Sequence, residues 1–259
     1  MQVHNDLNTF SAHRPVVTIG VFDGVHRGHY RLLWQLVEKA AEVGGESVVL
    51  TLWPHPRLVL NKDADKLLLL NTLDEKKILL EKKHIDHLVV LPFNREVSNM
   101  SACEFIESVL VEKIGVHRLL IGHDHAFGKG REGGFDDLKS CSIRYNFQVE
   151  RLGAEMEGPV KISSSIIRNA LLEGRLQEAN DYLGYQYFLK GHVTGGRRIG
   201  KKLGFPTANI EVSDPYKLIP KDGVYAIKAN PDKKTLKGML NIGYRPTVGG
   251  QRNKVSIET

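Results

Sequence analysis

Residues 20–29 read GVFDGVHRGH, and four properties of this stretch point to phosphate chemistry. The glycines at 20, 24 and 28 allow a tight turn and a close backbone approach to a ligand. The stretch follows an apolar run and precedes a helical pattern, so it opens a helix whose free N–H groups and positive dipole end suit an anion. His26 and His29 stand three apart at that helix start, where both can face one bound group. Imidazole can donate to phosphoryl oxygens and exchange a proton near neutral pH. A pair of histidines in a turn is otherwise surface decoration or half a metal site; the strand–Gly–helix context decides for the anion site.

A second stretch, ISSSIIR at 162–168, places Ser163, Ser164 and Ser165 at the start of another helical pattern. Their hydroxyls can bond phosphate, and Arg168, one turn in, can clamp phosphate oxygens in a fork. Alone, such a serine run would be capping. Residues 191–210 read GHVTGGRRIGKKLGFPTANI. GGRRIGKK nearly completes a P-loop, but Lys202 stands where Ser or Thr is required, and Gly204 and Pro206 deny the helix that must follow. What remains is a basic, Gly-rich arch that includes Gly200 and Lys201. Beyond it, Thr207 and Asn209 are two apart on a predicted strand and so share a face. Their hydroxyl and amide oxygens are hard donors suited to Mg²⁺ carried with ATP.

The elements that position these residues fall into two textures. Up to about residue 183, buried-strand runs at 16–22, 47–53, 87–93 and 118–122 alternate with helical patterns. The first helix turns Leu32, Leu33, Leu36, Val37, Ala40 and Ala41 to one face and stops at Gly44 and Gly45. Another is expected over about 72–83, and Ser101 with Glu104 forms a capping box for a helix around 102–114. A loop follows over about 122–138, then a strand near 143–151 and helices at about 163–173 and 175–183. Such alternation implies an α/β fold with a parallel sheet. From Gly184 onward helical periodicity ends, and the short strands LKGHV, TANIEV and GVYAIKA predict a small antiparallel barrel or sandwich. Two domains are therefore expected, 1–183 and 184–259.

Charge follows the same division. Residues 1–183 hold 22 Lys and Arg against 25 Asp and Glu, a net of −3; residues 184–259 hold 14 against 5, a net of +9. The basic part lacks interleaved stacking aromatics, a helix-turn-helix or zinc spacing, which argues for phosphate-rich small ligands over nucleic acid. No apolar run approaches the ~18 residues of a membrane helix, and the N-terminus lacks a signal-peptide core. The two cysteines, Cys103 and Cys141, are far apart in sequence and form no disulfide framework. These features predict a reduced, soluble, cytoplasmic protein.

HRGH after the first strand, paired with ISSSIIR, resembles the nucleotidylyltransferase superfamily. With FDGVHRGH, TLWPHP at 51–56 and IGHDHAFGKGREGG at 121–134, the chain resembles the bifunctional prokaryotic FAD synthetases from about residue 15 onward. The departures are Leu52 and His125, where Phe is usual, and Gly134, where Asn is. PTAN, GVYAIKA, NIGYRPTVGG and VSIET resemble the riboflavin kinase part of that family. The resemblance implies a Rossmann-like nucleotidylyltransferase domain followed by a small antiparallel β-barrel. It implies phosphorylation of riboflavin by ATP to FMN, then adenylyl transfer from a second ATP to FMN, giving FAD and pyrophosphate. Flavins and ATP are then substrates and products, and Mg²⁺ accompanies ATP.

The implied ATP contacts are Gly20, Phe22, Asp23, Gly24, His26, His29, Ser163, Ser164, Ser165 and Arg168 in the first domain, and Gly200, Lys201 and Thr207 in the second. Flavin contacts are implied for His55, Asp124, Gly128 and Arg131, a metal site for Thr207 and Asn209, and a catalytic base for Glu258. A lone FMN adenylyltransferase with a non-catalytic flavin-binding module is the alternative, opposed by PTAN and Glu258. Val255, Ile257 and Thr259 alternate as a strand with nothing after it to pair with. The expectation is a barrel incomplete at its C-terminus and riboflavin phosphorylation that is weak or absent.

Overall fold

The computed structural model describes residues 1–60, 67–122, 127–152, 162–194, 207–231, 234–243 and 255–258, with the backbone alone at Arg131, Thr207 and 255–258. The chain divides into two compact units, Met1–Leu67 with Leu73–Ser163, and Leu68–Thr72 with Ser164–Thr259.

The first unit runs β1 (Gln2–His4), β2 (Val16–Ile19), α1 (Arg27–Glu42), β3 (Ser47–Trp53), α2 (Pro56–Val59), α3 (Leu73–Glu81), β4 (His87–Pro92), α4 (Arg95–Asn99), α5 (Ala102–Phe105), β5 (Arg118–Ile121), α6 (Phe135–Tyr145) and β6 (Gln148–Arg151). Its six strands lie in the order β1-β4-β3-β2-β5-β6, and every neighbouring pair is parallel. Strands covered on both faces must be apolar throughout, which is why β2 and most of β3 and β4 are buried without alternation. Val17, Ile19, Val48, Leu50, Leu119 and Ile121 pack against Phe105, Ile106, Leu110, Leu138 and Phe147. α1 buries Leu33, Leu36 and Ala40. Each such Leu contributes roughly 1.5–3 kcal/mol. From β2 the chain builds outward through β3 and β4, then crosses to β5 and β6 on the other side. The carboxyl ends of β2 and β5 therefore flank the reversal of strand order, where ligands of open α/β sheets bind.

Two segments differ from the sequence reading. The loop and strand expected over 122–151 contain α6, capped where the Gly134 N–H donates to Asp137 Oδ2 at 2.8 Å and ended by Asn146 at φ 54°. Leu138, Cys141 and Ser142 form its buried stripe, too short a pattern to outweigh the glycines before it. The helix expected around 102–114 does begin with the Ser101–Glu104 capping box but widens to a π-helical turn over Ile106–Val111.

The second unit contains α7 (Ser164–Glu173), α8 (Leu176–Leu183), β7 (His192–Thr194), β8 (Thr207–Glu211), β9 (Gly223–Ala229), β10 (Leu236–Ile242) and β11 (Val255–Glu258). Gly174 and Gly184 end the helices at φ 83° and 75°, the left-handed stop that glycine adopts without penalty. The strands form one antiparallel sheet, β7-β8-β11-β10-β9. β11 is thus an interior strand, paired with β8 on one side and β10 on the other. Both of its partners precede it in sequence. Leu68–Thr72 joins this unit through a Leu69–Lys217 bridge and a bond from Lys217 Nζ to the Leu70 carbonyl at 2.6 Å.

Candidate active site

β2 delivers the chain into the Gly20–His29 turn at the reversal of strand order. The Gly20 N–H still bonds the Leu50 carbonyl at 3.0 Å, after which the backbone leaves the sheet. Phe22, Gly24 and Val25 then adopt φ of 50°, 91° and 38°. Left-handed backbone at a buried β-branched residue such as Val25 is a genuine outlier, and such strain persists only where the surroundings over-determine it. Phe22 folds its ring back over Gly20, where a Cβ would lie 2.9 Å from Phe22 Cε2. Asp23, 6% exposed, is enclosed in the same turn. The result is a rigid cradle that ends at the N-terminus of α1.

His26 is the N-cap of α1, and its backbone N–H donates to Nδ1 of His29 at 3.2 Å. The two rings stack, centroids 3.7 Å apart and 19° from parallel, and Phe22 meets His29 edge-on at 5.2 Å. Burial pushes the His26 pKa down to about 4, against a smaller opposing pull from Asp23. His29 is held well below the ordinary histidine value by desolvation first, then by His26 and Lys76. Both rings are therefore neutral at physiological pH, so the proton exchange near neutrality suggested by residue type does not hold for the turn as it stands. His26 Nδ1 is buried with no hydrogen-bond partner among the described residues. An arriving anion would supply an acceptor and raise both pKa values.

The second motif begins beside this turn. The Ile162 carbonyl oxygen lies 3.2 Å from where a Cβ on Gly28 would sit, so only a residue without a side chain fits there comfortably. Ser163 ends the first unit, while Ser164, Ser165 and Arg168 open α7 of the second. His55 caps α2, its Nδ1 accepting from the Arg57 N–H at 3.1 Å. The 127–133 loop closes on itself through Phe127 and Gly133 and is pinned by the Lys129 N–H on the Met100 carbonyl at 2.8 Å. Gly128 (φ 76°) lies so close that a Cβ there would be 2.8 Å from the Ala102 nitrogen. Arg131 belongs to the same loop by its backbone; Asp124, Gly200 and Lys201 lie outside the described residues.

In the second unit the register unites residues distant in sequence. Thr207 stands directly opposite Glu258, and Asn209 opposite Ser256 on one side and Thr194 on the other. Positions two apart on a strand share a face, so Thr207 and Asn209 fall on one face of β8 by position, and the register sets Glu258 of β11 opposite the first of them. A hydroxyl and an amide are the hard-oxygen donor types that suit Mg²⁺. Among the described residues no group of three or more His, Cys, Asp or Glu side chains is placed to hold a metal. Sequence reading passed over Lys76, which reaches the turn from α3; in a Leu-Asp-Glu-Lys-Lys run it reads as solvated.

The fold and its strained turn define a nucleotide-handling α/β unit followed by an antiparallel β unit. The FAD synthetase family model matches residues 9–166, and the riboflavin kinase model matches residues 183–259. A bifunctional riboflavin kinase/FMN adenylyltransferase of Listeria monocytogenes is 39% identical over 232 residues, 90% of this chain and 73% of that protein. Its Escherichia coli K12 counterpart is 36% identical over 243 residues, 93% and 77% of the two chains. A crystal structure of a macrolide-efflux protein from Streptococcus pneumoniae matches with a TM-score of 0.84 and 26% identity, over 99% of this chain and 83% of that one. The chain belongs to the bifunctional riboflavin kinase/FMN adenylyltransferase family. No helix among the described residues is long and apolar enough to cross a membrane.

Proposed function

We infer that this chain carries both steps of FAD synthesis: riboflavin and ATP give FMN and ADP, then FMN and a second ATP give FAD and pyrophosphate. The observation that carries this reading is the histidine-bearing turn at the reversal of strand order, with the second motif starting against it at Gly28. In adenylyl transfer an FMN phosphate oxygen attacks the α-phosphorus of ATP, and pyrophosphate departs. The attacking group is already an anion, so positioning and charge stabilisation suffice. The backbone of Gly20, Phe22, Asp23 and Gly24 borders the nucleotide, and His26 and His29 donate to the α-phosphate. Ser163, Ser164, Ser165 and Arg168 hold the departing pyrophosphate. His55, Asp124, Gly128 and Arg131 border the flavin.

In the kinase step Glu258 removes the proton from the riboflavin 5′-hydroxyl, which attacks the γ-phosphorus of ATP. Gly200 and Lys201 cover the phosphates, and Thr207 and Asn209 would hold Mg²⁺, which would supply positive charge against the ATP phosphates. The Thr207–Glu258 register supports this step over a non-catalytic flavin-binding module. The functional domains are 1–183 and 184–259, the partners are small molecules rather than nucleic acid or membrane, and the setting is the cytoplasm. The test incubates the chain with riboflavin and ATP, with and without Mg²⁺, and scores FMN and FAD separately by mass spectrometry. Both products are expected with Mg²⁺ only; FAD from supplied FMN without FMN from riboflavin would leave the adenylyltransferase alone.

A further inference from the structure

Lys76 is completely buried, 0% exposed, on α3. Its Nζ donates to the Val21 carbonyl at 2.6 Å and to Thr51 Oγ1 at 3.3 Å, and lies 5.3 Å from the centre of the Trp53 ring. The Thr51 hydroxyl donates to the same Val21 carbonyl at 3.3 Å. That carbonyl, the last before Phe22 enters left-handed backbone, is thus gripped by two side chains from two different elements. Burying an ammonium costs far more than a carbonyl hydrogen bond returns. A methionine would fill the same channel without that cost.

The reason for a cation lies in the turn. A cradle for phosphate encloses the carboxylate of Asp23, which opposes any incoming anion unless a positive charge offsets it. The groups facing Lys76 are Asp23 from the turn, His29 from α1, and the uncharged Thr51 and Trp53 from β3; Glu75 is its neighbour on α3. We propose that Lys76 is a positioning residue for adenylyl transfer, its buried ammonium fixing the Val21 carbonyl and offsetting Asp23 so that the turn presents His26 and His29 to phosphate in one shape. This rests on the adenylyltransferase reading of the first unit. Burial pushes the Lys76 pKa down to about 8, with Asp23 opposing the fall. A neutral amine can still donate to both acceptors, so loss of rate on deprotonation would report the charge rather than the scaffold.

The experiment measures FAD formation from FMN and Mg-ATP by the full chain and by Lys76→Met, from pH 6.5 to 9.5, alongside thermal unfolding. For Lys76→Met, kcat should fall about 10²-fold, KM for ATP and FMN should stay within about threefold, and the melting temperature should be unchanged or raised. The wild type should lose kcat on an alkaline limb near pH 8 that Lys76→Met lacks. A kcat within threefold of wild type, or an alkaline limb unchanged in the variant, overturns the proposal. If Lys76→Met does not fold, the wild-type profile decides, and a flat kcat up to pH 9.5 overturns it. A wild-type chain that makes no FAD from FMN at any pH overturns the adenylyltransferase reading itself, a distinct failure.

Discussion

Replacing His26 with alanine should separate activity from stability, and the turn supplies the magnitudes. The ring is 5% exposed and stacked on His29, so its deletion removes packing of about 1–3 kcal/mol, the scale for a buried truncation. It also removes a buried Nδ1 with no partner among the described residues, an atom whose desolvation itself costs about 1–3 kcal/mol. The two effects oppose each other, so unfolding free energy at pH 7 should change by no more than about 1.5 kcal/mol. Activity has no such compensation. Losing one donor to the α-phosphate should lower adenylyl transfer by ~10²–10³, or about 2.7–4 kcal/mol.

The pH dependence sharpens the test. A histidine whose folded pKa is about 4 instead of 6.5 binds fewer protons folded than unfolded across that interval. Its contribution is fully present above pH 6.5 and is lost as pH falls towards 4. At pH 5 the wild type should have lost about 2 kcal/mol through this residue, a loss that His26→Ala escapes. Urea titrations at pH 7 and pH 5 on both proteins, with FMN adenylylation assayed at pH 7, complete the experiment. If the variant retains wild-type adenylylation, or loses as much stability from pH 7 to 5 as the wild type, the account of the turn is wrong.

Glu258→Gln should lower FMN formation by ~10²–10⁴, the range for a general base, and Asn209→Ala should lower it too, with FAD from supplied FMN unchanged in both; separate product assays check this. Gly128→Ala adds a Cβ at φ 76° and 2.8 Å from the Ala102 nitrogen, so it should destabilise by about 1–3 kcal/mol and raise KM for FMN, measured by urea titration and steady-state kinetics. Ser101→Ala removes the oxygen that accepts from the Glu104 N–H and should cost about 1 kcal/mol with adenylylation unaffected, read from the same titration.

How much of this was legible in the sequence depended on whether a signal was local. Strands buried on both faces announce themselves as continuous apolar runs, so β3 was predicted and found at 47–53. The Ser101 cap and the HRGH turn are likewise local, because each is set by residues within a few positions. β1 was not legible: three residues, two of them polar, gain their place only by pairing in parallel with β4, more than eighty positions away. The Thr207–Glu258 pairing is of the same kind. Residue chemistry singled out both ends, but the register that sets them opposite each other is a property of the sheet.

Lys76 shows why charge is a poor guide to exposure at a functional site. The buried face of α3 consists of Glu75, Lys76, Leu79 and Leu80, a stripe with steps of three and four in which two positions are charged. Read by hydrophobicity, the stripe is only Leu79 and Leu80, and the acidic and basic residues before them look like an ordinary solvated first turn. Read by position, Glu75 and Lys76 lie one turn before those leucines and are carried inward with them. A charged residue on the buried stripe of a helix is expensive, and nothing in the packing of α3 itself requires one. The demand comes from another element, the strained turn that must hold Asp23 and still admit phosphate. Helix periodicity that continues through charged residues, beside a strand that feeds an anion-binding turn, is therefore the pattern that would have pointed to Lys76 before its side chain was seen.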